Sequence, residues 1–475
     1  MERIDPQFAF NRRSFLAHYA GGIGSLALAS LLAEEGKAGG HSPGNGLTTR
    51  SLPHHPAKAK AVICLFQHGG PSQMDLFDPK PMLNKHAGKP YEGEIEVHFH
   101  TQKGNILGSP YKFLPAGDSG IELSEILPHT AGIADDITLV RSMTTESVDH
   151  EAALRLIHTG KIFAGRPVMG SWVIYGLGTE RKDLPAYVVL SDPGGLPVDG
   201  VKNWSSGFLP AVYQGTTFRP GDTPVANLLP PKSVDASARN HQLAFLDSLN
   251  KIHQKRYPEN TELSARISNF ELAARMQTSV PDVLDLSNES EETKKLYGLD
   301  NPACAEYAKR CLLARRLVES GVRFVQIFLN GQPWDTHSNN AGQLKNLCAM
   351  SDQPSAALVT DLKRRGLLDS TIVLWTGEFG RQPISQGADG RDHNRHAFSL
   401  WLAGGGFKKG YAHGSTDDFA YKSVTDVVSV HDLHATLLHS LGLDHRSLTF
   451  PHDGRNDSLT DAEVTKARVI KDLLA

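Results

Sequence analysis

A chain of 475 residues is long enough for one large α/β domain or two smaller ones. Its formal net charge of −3, with no basic stripe and no interleaving of aromatic and basic residues, excludes an electrostatic case for nucleic acid. Histidine is the outlier: there are 22, many in pairs beside glycine turns and carboxylates.

Residues 1–33 have the pattern of a signal region rather than of a folded element. Asn11-Arg12-Arg13-Ser14-Phe15-Leu16 matches the twin-arginine consensus, and a mild apolar run from Ala17 to Ala33 follows it. That run is richer in glycine and less hydrophobic than a membrane span. The expectation is export by the twin-arginine route to a periplasmic or extracytoplasmic location, with no stable membrane span in the mature chain. Residues 34–57, full of Gly, Ser, Pro and His, form a linker by composition. Residues 58–475 form the folded domain. Cys304 and Cys311 fall in one predicted helix, a rise of roughly 10 Å apart, beyond the ~7 Å that a disulfide spans. Buried, unpaired thiols are expected.

Ala61–Phe66 (AVICLF) is a continuous apolar run, the mark of a strand buried on both faces of a parallel sheet. The glycine turn behind it presents His68, Ser72 and Asp75. Ile137–Arg141 is the next strand. The stretch from Ser142 to His150, ahead of a predicted helix over Glu151–His158, offers Thr144, Thr145, Ser147, Asp149 and His150 at a helix N-terminus suited to anions. Ala186–Leu190 is a strand. The irregular stretch from Ser191 to about Pro231 is either the rim of a substrate cleft, with Trp204 and Tyr213 as contacts, or filler. Helical patterns cover 239–280 and Asn301 to Gly321. Val322–Leu329 is a further buried strand, leading to Asp335-Thr336-His337. In extended backbone residues i and i+2 point the same way, so both side chains of this pair can reach one metal. Pro354–Arg365 is a predicted helix and Thr371–Trp375 a predicted buried strand. Glu378 and a glycine-rich loop to Asp392-His393 come next. Phe398–Ala403 is a strand, and a helix begins near His431 with Asp432 as its cap or first-turn acid.

Acids and imidazoles gathered beyond the carboxyl ends of buried strands are the usual composition of an α/β active site. The candidate metal ligands are Asp75, Asp335, His337, Glu378, Asp392 and His393. The candidate catalytic groups are Asp149, His150 and Arg381, the last spaced from Glu378 to grip a tetrahedral anion bidentately. Mixed carboxylate and imidazole donors suit one or two divalent ions, zinc or manganese rather than calcium. Such ions polarise a phosphoryl or sulfuryl oxygen and activate water or a hydroxyl.

Several motifs also occur in one order: the twin-arginine signal, GGPSQMDLFDPK, LLARRLVESGVRFV, WDTH, GEFGR, GRDHN, FSLWLAGGG and HDLHATLLHSLGLDH. With them the chain resembles the bacterial sulfatase-like family catalogued as domain of unknown function 1501, in the alkaline phosphatase superfamily. The resemblance implies an alkaline-phosphatase-like α/β/α sandwich with a mostly parallel central sheet. It implies an exported, metal-dependent hydrolase of phosphate or sulfate esters, acting on a small-molecule or glycan ester. It puts metal ligands at Asp335, His337, Glu378 and His393, a first-strand ligand at Asp75 or His68, and the nucleophile region near Asp149-His150. The chain departs from the superfamily in two places. No C/S-x-P-x-R motif occurs, so formylglycine chemistry is not expected, and Glu378-Phe379 stands where the superfamily has Asp-His. The alternative is a non-catalytic anion- or glycan-binding module on the same fold.

Overall fold

The computed structural model describes residues 53–96, 103–219, 221, 224–225, 235–258 and 260–475. The twin-arginine region and most of the linker lie outside the described residues. In chain order the strands that matter are β1 (Ala61–Phe66), β2 (Ile137–Thr144), β3 (Tyr187–Leu190), β4 (Thr216–Phe218), β5 (Phe324–Ile327), β6 (Thr371–Thr376), β7 (Gly380–Gln386), β8 (Gly390–Asn394), β9 (Phe398–Ala403) and β10 (Tyr411–His413). The helices are α1 (His150–Thr159), α2 (Met169–Leu177), α3 (Ala236–Arg256), α4 (Thr261–Leu284), α5 (Ala305–Glu319), α6 (Asn340–Arg364) and α7 (Val430–Ser440).

The central sheet has nine strands in the order β10-β2-β9-β6-β1-β5-β3-β4, with Val428–Ser429 added beside β2. Every pairing is parallel except those of β9, which runs against both β2 and β6. Alternate side chains of β1 enter different cores. Ile63 and Leu65 pack with α5 and α6, whereas Val62, Cys64 and Phe66 pack with α1, α2 and α7. That period-two split places helices on both faces, so the molecule is the expected α/β/α sandwich. It also explains why β1 is apolar at every position: all six residues are buried.

The structure moves some boundaries. α6 begins at Asn340, not at Pro354, and runs through that proline. An internal proline costs about 3 kcal/mol. The extra turns offset this by burying Leu344 and Cys348, about 1.5–3 kcal/mol for the leucine alone. Asp352 on the same helix also accepts from the backbone of His129 and Thr130 at 2.7 and 2.8 Å. The glycine-rich loop expected between Glu378 and Asp392 is an antiparallel hairpin, β7–β8. Its polar residues looked like loop residues because their partners lie far away in the chain. Trp204 and Tyr213 form no cleft rim; both are buried in the core beneath α2. The four cysteines are buried and free, as expected. Asp432 completes a capping box with Ser429 at the start of α7.

Candidate metal centre

Parallel strands present their carboxyl ends on one edge of the sheet, and the site is built there. His68 follows β1, His150 opens α1 after β2, Asp335 and His337 follow β5, and Glu378 follows β6. Asp392 and His393 come from β8, the returning arm of the hairpin. Asp149 is the N-cap of α1, its side chain accepting from Ala152 N at 3.0 Å, which fixes His150 as the first helical residue. Gly69 (φ +117) lets β1 approach the next strand's loop: a Cβ there would lie 2.5 Å from Asp335 N and 2.7 Å from Trp334 N.

Three donor atoms converge. Asp335 Oδ1 lies 2.8 Å from His337 Nε2 and 3.1 Å from His393 Nε2, and the two Nε2 atoms are 3.0 Å apart. The other nitrogen of each ring is committed elsewhere. His393 Nδ1 donates to Val148 O at 2.6 Å, and His337 Nδ1 donates to Gln386 Oε1. In the neutral rings each Nε2 therefore presents a lone pair to the other and to a carboxylate oxygen. Acceptors packed this closely call for a cation among them, and pinning of the second ring nitrogen is how metal-ligating histidines are oriented. Asp392, accepting from His393 N at 2.8 Å, brings a carboxylate within 4.8 Å of His337 and His393.

A second group adjoins the first through the same aspartate. His150 Nδ1 is 2.7 Å from Glu378 Oε1, and its Nε2 lies 3.3 Å from Asp335 Oδ2 without an aligned hydrogen bond. Glu378 is fully buried and accepts from Gly69 N at 3.0 and 3.2 Å. His68, also fully buried, has both ring nitrogens without a protein hydrogen-bond partner. The residues present thus fit a divalent ion: imidazole and carboxylate donors, oriented from behind, with buried nitrogens in reserve.

Burial alone would lower the His150 pKa, but the close carboxylates of Asp335 and Glu378 raise it to about 9. Burial would raise the Asp335 carboxyl, yet contacts to His150, His337 and His393 and the charge of Arg381 hold it far below the usual carboxylate range. Burial is likewise overcome at Glu378, mainly by the His150 hydrogen bond, and its pKa is lowered. His393 is pushed down to about 4, chiefly by burial. Asp335 and Glu378 are thus held as carboxylates while His150 is held toward its protonated form.

Three of the sequence candidates stand apart from this cluster. Asp75 is fully buried, and Arg391 grips it at 2.7 and 3.0 Å while Ser72 and Asn340 donate at 2.6 and 2.9 Å. It braces the hairpin against β1 and has no oxygen to offer the centre. Arg381 cannot hold a substrate anion. It is fully buried and donates to the carbonyls of Gly69, Gly70, Trp334 and Arg391 and to Asp335 Oδ1 at 2.6 Å. Asp149 is spent as a helix cap. Two contributors escaped sequence reasoning. Phe379 is buried with its ring 4.8 Å from that of His150 and 4.5 Å from that of His393, so it sets the tilt of both. Gln386, which pins His337, gave no signal beyond being a polar residue in a predicted loop.

A family model described as Protein of unknown function (DUF1501) matches residues 59–474. No curated protein matches the sequence. Among solved structures, the chain is similar to the PsFucS1 sulfatase from Pseudoalteromonas sp. at 11% identity, covering 88% of this chain and 71% of that one, TM-score 0.33. It is also similar to an alkaline phosphatase from the Antarctic bacterium TAB5 at 12% identity, covering 81% and 98%, TM-score 0.34. A phosphonate monoester hydrolase from Silicibacter pomeroyi matches at 12% identity, covering 72% of each chain, TM-score 0.30.

Proposed function

We propose, for a chain that belongs to the family described as Protein of unknown function (DUF1501), that it is a metal-dependent hydrolase of phosphate or sulfate esters. The observation that carries this reading is the convergence of Asp335 Oδ1, His337 Nε2 and His393 Nε2 within 3.1 Å, each ring pinned from behind. Those three residues, with Asp392 beside them, would hold the ion. A bound divalent ion supplies Lewis acidity toward the ester oxygen and a nucleophilic water at neutral pH.

The protein's own groups divide the remaining work. Glu378 fixes the ring of His150 through Nδ1, and Nε2 points to the cluster. That makes His150 the group placed to give a proton to the leaving oxygen. Arg381 neutralises part of the charge on Asp335 from the closed side. No helix among the described residues is long and apolar enough to cross a membrane. Export rests on the Arg12-Arg13 motif, and fractionation of cells carrying Arg12→Lys/Arg13→Lys tests it, with cytoplasmic retention expected.

The central test is metal analysis of the purified protein followed by turnover on panels of phosphate and sulfate esters of phenols and sugars. The expected result is a stoichiometric divalent ion and turnover on one panel. His150→Gln should keep the ion and lose about 10²–10⁴-fold in turnover. Protein that binds no divalent ion, or that binds esters without hydrolysing any, overturns the reading.

A further inference from the structure

The last turn of α1 meets α7 where His434 reaches the carbonyl of Ile157. His158 and His434 face each other there across a small cavity, whose wall also includes Cys64, Phe66, Met169 and Thr376. The centre of a water molecule has about 10 Å³ in which to move. A cavity of that size holds one water if two to four polar partners line it.

The two rings have complementary needs. His434 Nε2 is 2.8 Å from Ile157 O, and since a carbonyl only accepts, Nε2 carries the proton and Nδ1 is an acceptor. Gln326 takes the Tyr187 hydroxyl on Oε1 at 2.7 Å, so its amide nitrogen faces His158 Nδ1 at 3.5 Å. That makes His158 Nδ1 the acceptor and Nε2 the donor. Burial holds both imidazoles neutral, each pushed down to about 3. The atoms left without a protein partner are the donor His158 Nε2 and the acceptor His434 Nδ1.

We propose that this cavity is a binding site for one ordered water, which accepts from His158 Nε2–H and donates to His434 Nδ1. A single molecule with donors and acceptors satisfies both rings, and nothing apolar does. Thr376 Oγ1, which donates to Gly377 O at 3.0 Å, keeps lone pairs for the second water proton. The bridge ties the end of α1, the helix whose first residue is His150, to α7. It is part of the framework behind the centre and takes no proton from the reaction.

Two experiments test it on the full chain. A high-resolution crystal structure should show one density peak within hydrogen-bond distance of both nitrogens, and xenon pressurisation should leave the cavity free of xenon. A xenon peak there, or a direct ring-to-ring hydrogen bond, overturns the proposal. Thermal unfolding of His434→Leu, His158→Phe and the double variant provides the second arm. Removing one partner strands the other, whereas removing both strands neither. The double variant should therefore melt above the lower of the two single variants. Additive losses in Tm overturn the bridge, and the wild-type crystal experiment stands even where a variant fails to fold.

Discussion

Asp75 and Asp335 are both carboxylates placed just beyond buried strands, and the structure uses them in opposite ways. Asp75 is closed: Arg391 takes both oxygens and two further side chains complete the shell. Asp335 is open: Arg381 and Gln332 hold it at 2.6 and 2.8 Å, but imidazoles whose second nitrogens are engaged elsewhere surround the rest. The difference separates a brace from a candidate ligand. A buried acid matched by a guanidinium is neutral and complete, whereas an acid facing imidazole lone pairs is a half-built coordination sphere.

That contrast can be broken at several points. The largest effect is expected at the brace. Asp75→Ala leaves Arg391 buried without its partner and should cost about 3–5 kcal/mol in urea unfolding, while the folded fraction keeps its metal affinity. Equal metal loss in the folded protein would make Asp75 a ligand after all. Asp335→Asn should lower metal affinity itself. Structural zinc is worth about 10–16 kcal/mol over four ligands, so roughly 3 kcal/mol, or about a hundredfold in affinity, is expected from calorimetry on the folded protein, alongside a loss of apo-protein stability because buried Arg381 loses its charged partner. Gln386→Ala tests the pinning of His337 and should weaken metal binding about 10–100-fold; unchanged affinity would show that the ring needs no support.

The smallest effect is a slope. His158 and His434 have folded pKa values near 3 against an ordinary 6.5. Between those values the unfolded chain binds more protons, so their contribution is complete above pH 6.5 and is lost as pH falls toward 3. Each adds up to about 1.4 kcal/mol per pH unit to the decline. Denaturant midpoints measured from pH 7 to 5 should fall less steeply in His434→Leu than in the wild type. Parallel slopes would mean the ring is already protonated in the fold.

The sheet was legible in the sequence because its strands are buried on both faces. β1 and β9 fall where the apolar runs place them, and β2, β3, β5 and β6 differ only at their ends. The clustering of Asp335, His337, Glu378 and His393 was also legible, since strand-end position alone predicts it. The roles of Asp75 and Arg381 were not. Each is decided by a partner hundreds of positions away, Arg391 for the first and the Gly69–Gly70 carbonyls for the second. Local spacing carries no trace of such pairings. The hairpin β7–β8 was missed for the same reason: buried polar strands look like loops until their partners are known.

The position of β1 has a consequence for synthesis. This strand leaves the ribosome before any of its neighbours, yet it lies mid-sheet and pairs only with β5 and β6, beginning at Phe324 and Thr371. Chains grow at about 5–20 residues per second, so AVICLF waits on the order of 10–50 s with both edges unmet, and the face that packs on α5 and α6 is uncovered for as long. The nascent protein therefore passes through a long interval in which its most apolar strand is an aggregation hazard. A chaperone that binds extended apolar segments is expected to engage it there and to let go only after β6 has emerged.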